Sequence, residues 1–222
     1  MKRGLLILIG VSALALGVWI GNRTAPAPSL DWTRSAGEYP ALCRSVYRAA
    51  GDSLTALIHA PSLPWAVVMD IDETCLSTAD YRTARRRSWF PGSAPSFSSW
   101  CSRAVASPVA GAAEFAREVR RKGGRIILIS DRPEAVRAPT EENLQREGIE
   151  YDALLLKSGG ETKSQRRRKV EEGNAVNGLG PLAVVLILGD RLEDFPEGAA
   201  ESGGWGRRYF LLPNPMYGSG HK

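Results

Sequence analysis

The stretch Trp65-Ala66-Val67-Val68-Met69-Asp70-Ile71-Asp72-Glu73-Thr74 decides the fold. An apolar run ends abruptly in two aspartates one residue apart. Residues i and i+2 of a β-strand point to the same side, so Asp70 and Asp72 emerge together at the carboxyl end of a buried strand. Open α/β sheets place their ligand sites at that edge. Two carboxylates held together there repel unless a shared proton or a positive charge separates them. A hard cation such as Mg2+ is one solution.

Working outward, strands and helices alternate. Residues 66–69 read as the first strand and 110–122 as a helix closed by Gly123-Gly124, with Arg120, Arg121 and Lys122 in the last turn as the helix dipole favours. Residues 125–129 read as a strand, 133–147 as a helix disturbed at Pro139, and 153–156 as a short strand. A helix over 163–172, an apolar strand over 183–188 and a last strand over 208–212 follow. Upstream, residues 32–60 read as one helix, with Gly51 as its weak point. Near-continuous apolar strands separated by helices predict an α/β fold: a Rossmann-like parallel sheet with helices on both faces, preceded by an N-terminal helix. Residues 77–108 break the rhythm. They carry Arg82, Arg85, Arg86 and Arg87, then Trp89, Phe90, Phe97 and Trp100 among serines and prolines. An insertion directly after the aspartate strand is expected to form a small cap over the site.

The 222 residues are 43% hydrophobic, which excludes disorder as the default, and carry a formal net charge of +5. Such an excess suits phosphorylated small molecules or anionic surfaces. Zinc-finger spacing, an RNA-binding aromatic signature and a long basic tail are all missing from the sequence, so no nucleic-acid partner is expected. Met1-Lys2-Arg3 followed by an apolar run from Gly4 to Ile20 reads as a signal peptide or signal anchor, which with its linker takes up residues 1–29 and leaves 30–222 as the functional domain. Ala13-Leu14-Ala15 lies inside the run and Ala25-Pro26-Ala27 precedes Pro28, so an uncleaved anchor is favoured. The rest of the chain is then expected in an extracytoplasmic space, periplasmic or secreted, touching the membrane only through that segment. An oxidising compartment permits one disulfide among three cysteines. Cys43 with Cys101 is the expected pair, and Cys75 a packed residue. Two histidines and no C-x-x-C argue against zinc.

Three more strand ends or helix starts carry polar residues able to reach Asp70 and Asp72: Ser130-Asp131-Arg132, Thr162-Lys163-Ser164, and Gly189-Asp190-Arg191-Leu192-Glu193-Asp194. Asp-x-Asp-x-Thr, then Ser, then Lys heading a helix, then Gly-Asp-x-x-x-Asp resembles the four-part signature of the haloacid dehalogenase superfamily of phosphatases. Glu38-Tyr39-x-Ala41-Leu42 and Leu212-Pro213-Asn214-x-x-Tyr217-Gly218 narrow the resemblance to the class C (subfamily IIIB) acid phosphatases, which include lipoprotein 5′-nucleotidases and are related to plant storage proteins. The resemblance runs from about Trp32 to the end.

The resemblance implies Asp70 as the nucleophile of an aspartyl-phosphate cycle and Asp72 as the group that protonates the leaving alcohol and then activates water. It implies Mg2+ held by the carboxylates of Asp70 and Asp190 and the backbone carbonyl of Asp72. Ser130 and Lys163 would hold the phosphate oxygens, with Lys157 and Arg166 as rivals to Lys163. Thr74 would support the loop, and Asp194 would hold a metal-bound water or orient Lys163. The Arg166-Arg167-Arg168-Lys169 run reads as a solvated helix face. In the related nucleotidases aromatic rings sandwich the base, which nominates Tyr81, Phe97, Trp100 and Tyr217. The expected substrate is a small phosphate monoester, with nucleoside monophosphates as one class. A homodimer is left open, and the alternative is a non-catalytic storage or binding protein of the same fold. Two departures stand out: the lipid-attachment cysteine is missing, and Asp131 follows Ser130 where glycine or asparagine is usual.

Overall fold

The computed structural model describes residues 28–58, 63–88, 93, 95–176 and 178–216. The apolar start of the chain, Trp89, Phe90 and Tyr217 lie outside them. Five strands form one parallel sheet: β1 (Trp65–Met69), β4 (Arg125–Pro133), β5 (Ala153–Lys157), β6 (Ala183–Gly189) and β7 (Tyr209–Leu211), in the order β5-β4-β1-β6-β7. Chain order reverses direction between β1 and β6, which makes the carboxyl ends of these two strands the switch point where such sheets bind ligands.

Alternation along β1 sorts its side chains between two cores. Trp65, Val67 and Met69 pack on one face with Tyr47 and Leu54 of α2 (Glu38–Leu57) and Phe115 of α5 (Ala112–Arg121). Ala66 and Val68 pack on the other with Val170 of α7 (Lys163–Glu172) and with Phe195. Helices therefore cover both faces, and every residue of β1 is buried.

The segment after β1 is tied at its two ends by a two-stranded antiparallel ribbon, β2 (Leu76–Ser77) with β3 (Ser107–Pro108), which pairs Leu76 with Pro108 and Ser77 with Ser107. Between them lie α3 (Ala79–Arg87) and the short α4 (Phe97–Cys101).

Several expectations are corrected. The first helix is two, α1 (Pro28–Ser35) and α2, broken at Ala36-Gly37. Pro40 explains the break: its ring would clash with the carbonyl of residue 36 in a continuous helix, but is tolerated in the first turn of a new one. Gly51 does not interrupt α2. It makes room for a neighbour, since a Cβ there would lie 2.9 Å from Glu118 Oε2 on α5. Pro139 does not disturb its helix, because α6 (Arg137–Arg146) begins two residues before it and the missing N–H falls in the first turn, where no partner is needed. Cys43 and Cys101 are not bridged; both are buried free thiols, as is Cys75. The expected signal peptide or anchor lies outside the described residues, among which no helix is long and apolar enough to cross a membrane.

Candidate active site

β1 delivers Asp70 to the sheet edge, and its backbone N–H continues the ladder by donating to Leu188 O of β6 (3.0 Å). The chain then winds tightly round one carbonyl: Ile71 O accepts from the backbone N–H groups of Thr74 (3.3 Å), Cys75 (2.8 Å) and Leu76 (2.8 Å). Glu73 takes the left-handed conformation (φ 59°) this turn demands, which is uncommon for a residue with a Cβ. Its buried carboxylate accepts from the N–H of Thr78 and from Thr78 Oγ1 (2.6 Å), with Tyr39 Oη at 3.4 Å. Burial raises the Glu73 pKa against the pull of the Thr78 bonds. Thr74 supports the same loop through its backbone: its carbonyl accepts from Tyr47 Oη (2.7 Å), while its own Oγ1 is buried without a partner among the described residues.

On one side of this loop Lys163 meets Asp70. Thr162 caps α7 in a reciprocal box with Gln165 (3.2 and 2.8 Å), which fixes where the helix starts. Lys163, its first residue, donates to Asp70 Oδ1 and to Asp194 Oδ1, both at 2.5 Å. Asp194 ends a 3-10 turn (Leu192–Asp194), and its Oδ2 accepts from the N–H groups of Asp190 (3.0 Å) and Arg191 (2.9 Å). Gly189 is required for this fold-back, because a Cβ there would sit 2.3 Å from Asp194 Oδ2. Asp190 follows β6, and its Oδ2 accepts from Asn214 Nδ2 (2.5 Å).

On the other side Asp72 meets Arg132. The Arg132 Nε donates to Oδ1 (3.1 Å) and Oδ2 (3.2 Å) of Asp72, and Nη2 donates to Oδ1 (2.8 Å). Ser130 Oγ accepts from the Arg132 N–H (3.2 Å), which leaves the Ser130 hydroxyl proton free to donate elsewhere. β4 runs to Pro133 rather than stopping at Ile129, so Ser130 and Arg132 share one side of the strand end.

The rivals of Lys163 stand elsewhere. Lys157 is exposed on the wall of a groove of about 840 Å³ beside Lys163. Arg166 is buried and donates to Ser130 O (2.6 Å), Leu155 O (3.0 Å) and Asp131 Oδ1 (2.6 Å). Arg167 is buried too and donates to Asp194 O (3.1 Å), so the basic run is not a solvated face: its first two guanidinium groups brace the carbonyls behind the site. The cap rings form one cluster. Tyr81 lies 5.2 Å from Phe97 and 5.7 Å from Trp100 between centroids, with Tyr81 and Trp100 buried and Phe97 half-exposed. Phe97 also covers the Arg132 guanidinium (6.0 Å). Sequence reasoning gave no role to Arg132, Glu73 or Asn214.

The profile of the HAD superfamily, subfamily IIIB (acid phosphatase), matches residues 20–220. The chain belongs to that family. The class C acid phosphatase from Bacillus anthracis superposes with a TM-score of 0.74 over 86% of this chain and 84% of its own, at 25% identity, and its structure with tungstate bound matches equally well. Acid phosphatase 1 of Solanum lycopersicum is 31% identical over 159 residues, 68% of this chain and 57% of the relative, so the match spans little more than half of that protein.

HAD phosphatases use a divalent metal, and the residues present fit one. Ligand atoms of Asp70, Asp190 and Asp194 lie within 4.8 Å of one another. Three carboxylates around one lysine leave an uncompensated negative charge in a buried place, which a dication offsets. The strain shows in the proton affinities. Burial pushes the Asp70 carboxyl up, Lys163 pulls it back, and Asp194 and Asp72 push it up again. Burial, then Asp70 and Asp194, raise Asp190. Burial by itself would lower Lys163, but Asp70 and Asp194 outweigh it and keep the ammonium protonated. Of the three, Asp194 already has Oδ1 on Lys163 and Oδ2 on two backbone N–H groups. Asp70 and Asp190 keep an oxygen each for an ion.

Proposed function

We propose that this protein hydrolyses small phosphate monoesters with Mg2+, through a covalent intermediate on Asp70. The observation that carries the reading is the division of charge at the sheet edge: Asp70 lies against Lys163 amid the acidic cluster, whereas Asp72 stands apart on Arg132. Asp70 attacks phosphorus while the bond to the leaving oxygen breaks. Asp72 gives that oxygen its proton, and the alcohol departs. Water then attacks phosphorus, Asp72 takes its proton, the bond to Asp70 breaks, and inorganic phosphate leaves with Asp70 again a carboxylate and Asp72 again the acid. Asp70, Asp190 and the Asp72 carbonyl would hold Mg2+, which would supply charge neutralisation between the attacking carboxylate and the phosphate. Lys163 and the Ser130 hydroxyl hold the phosphate oxygens, and Asp194 orients Lys163.

The tungstate bound by the Bacillus anthracis relative, a tetrahedral oxyanion, supports an oxyanion site of this kind. Phe97, packed on Tyr81 and Trp100, lies over the guanidinium that pairs with Asp72, which puts a half-exposed ring near the site and suits a nucleoside monophosphate; Tyr217, the other ring the resemblance nominates, lies outside the described residues. The charged, apolar start of the chain supports an extracytoplasmic location, anchored or secreted. The test is a panel of nucleoside monophosphates, sugar phosphates and phosphotyrosine, assayed with Mg2+ and with a chelator. Release of phosphate that the chelator abolishes is expected, with nucleotides leading. Failure to hydrolyse any monoester in the presence of Mg2+ overturns the reading.

A further inference from the structure

Arg132 heads the largest fully buried side chains of the fold, with 1% of its surface exposed. A guanidinium so placed is strongly unfavourable without a partner carboxylate, and its partner is Asp72. The contact is a planar fork, with two N–H groups on Oδ1 at 2.8 and 3.1 Å and one longer contact to Oδ2 at 3.2 Å. The guanidinium is itself held in plane: Nη1 donates to Thr140 Oγ1 on α6 (3.2 Å), and the Phe97 ring covers it at 6.0 Å. Asp72, by contrast, reaches solvent, with 14% of its side chain exposed. The rigid partner lies beneath and the reacting group above.

We propose that Arg132 is a positioning residue for proton transfer. Its fork sets the plane of the Asp72 carboxylate and occupies Oδ1, so that Oδ2 is the oxygen that carries the proton to and from the leaving group. The inference rests on the reading of Asp72 as the proton donor. Only arginine does this: a lysine keeps the charge but, as a point charge on a flexible stem, does not fix a plane. A purely structural Arg132, tying the end of β4 to α6, makes a different prediction, because its loss would slow every substrate alike.

The experiment compares kcat/KM for two esters. 4-Nitrophenyl phosphate has a leaving group that departs without a proton; glycerol phosphate has an alkoxide that needs one. Asp72→Asn should slow glycerol phosphate by about 10²-fold more than the nitrophenyl ester. Arg132→Lys should show the same split at about tenfold, with unfolding temperature close to the parent's. Asp72→Glu keeps an acid and a partner for Arg132 but moves the carboxyl out of the fork, so it too should lose glycerol phosphate selectively. Thr140→Val, which removes one support of the guanidinium without touching the fork, should show a weaker split in the same direction. If Asp72→Asn shows no split, the proton-donor reading itself fails. If Asp72→Asn splits the esters but Arg132→Lys slows both equally, the positioning role alone fails. Should Arg132→Lys not fold, Asp72→Glu decides: parental activity on glycerol phosphate overturns the proposal.

Discussion

Asp70 and Asp72 leave one strand two residues apart, yet they enter opposite surroundings. Asp70 sits at 5% exposure against the ammonium of Lys163, with Asp190 and Asp194 crowding the same space. Asp72 is more open and faces one rigid guanidinium, which among the described residues makes an ion pair with no other carboxylate. The first setting has an excess of negative charge around one buried ammonium, which suits a nucleophile that must meet a phosphate and a metal. The second is balanced one to one in a fixed plane, which suits a group that passes protons. A strand places side chains of neighbouring register together, and only the elements packed against each one make them different.

The sharpest break of this comparison is to neutralise each carboxylate in turn. Asp70→Asn should lower turnover of 4-nitrophenyl phosphate by about 10⁴-fold or more, as loss of a nucleophile does. Asp72→Asn should cost about 10²-fold in turnover of the same ester, because its nitrophenolate needs no proton but the second step still needs a base for water. Initial rates on purified variants of parental unfolding temperature check both. Equal losses would mean the two carboxylates act as one unit.

A milder break acts behind the metal side only. Asn214 donates to Asp190 Oδ2 and so chooses which oxygen faces an ion. Asn214→Ala should raise the Mg2+ concentration for half-maximal activity by about 10–100-fold, the usual cost of losing a partner behind a ligand. Titration of activity against Mg2+ measures it, and the maximal rate at saturating Mg2+ should stay near the parent's.

The same asymmetry predicts a pH effect on stability. In the metal-free protein burial and neighbouring carboxylates raise Asp190 towards about 9, and Asp70 is raised as well. Between an ordinary carboxyl pKa of about 4 and those values, the folded chain holds protons that the unfolded chain has released. Stability therefore falls as pH rises through that window. Melting curves in chelator should show the unfolding temperature dropping by several degrees from weakly acidic to alkaline pH. Mg2+ binds the deprotonated carboxylates, so the stabilisation it adds should grow over the same range. A metal-free unfolding temperature that rises with pH would overturn this account.

The Asp70 side was the legible one. Asp70 and Asp72 follow from strand periodicity, Asp190 from the apolar run before it, and Lys163 from its place at the head of a helix. The Asp72 side was legible only as far as the strand end that reaches it: Ser130-Asp131-Arg132 was placed near the site, but nothing in the sequence singles out Arg132, 60 residues away between an aspartate and a proline, as the partner of Asp72. A signal for its place existed: the spacing that joins Asp70 to Asp72 also joins Ser130 to Arg132. Arg166 and Arg167 were hidden in a different way. A run of four basic residues has no apolar inward face to mark, and it is the carbonyls of Ser130, Leu155 and Asp194 that draw two of them inside. The helix break at Ala36-Gly37 was encoded in Pro40, whose clash reaches back four residues.

The smallest effect concerns the loop that holds the two sides together. Glu73 stands in a left-handed turn directly after Asp72, and its carboxylate joins Thr78 at the start of α3 to Tyr39 on α2. Its Oε1 takes both Thr78 bonds, while Oε2 faces the more distant hydroxyls of Tyr39 (3.4 Å) and Ser77 (3.5 Å), and the Arg82 charge acts on the carboxylate as well. Glu73→Gln keeps the first oxygen and puts an amide where hydroxyls can accept, so it should change stability by less than about 1 kcal/mol. Glu73→Ala strands the Thr78 donors in a buried place and should cost about 1–3 kcal/mol, or roughly 3–10 °C in unfolding temperature for a chain of this size. If the carboxylate charge rather than its acceptor geometry holds the loop, Glu73→Gln will unfold as readily as Glu73→Ala, and denaturant titration of the two variants side by side separates the cases.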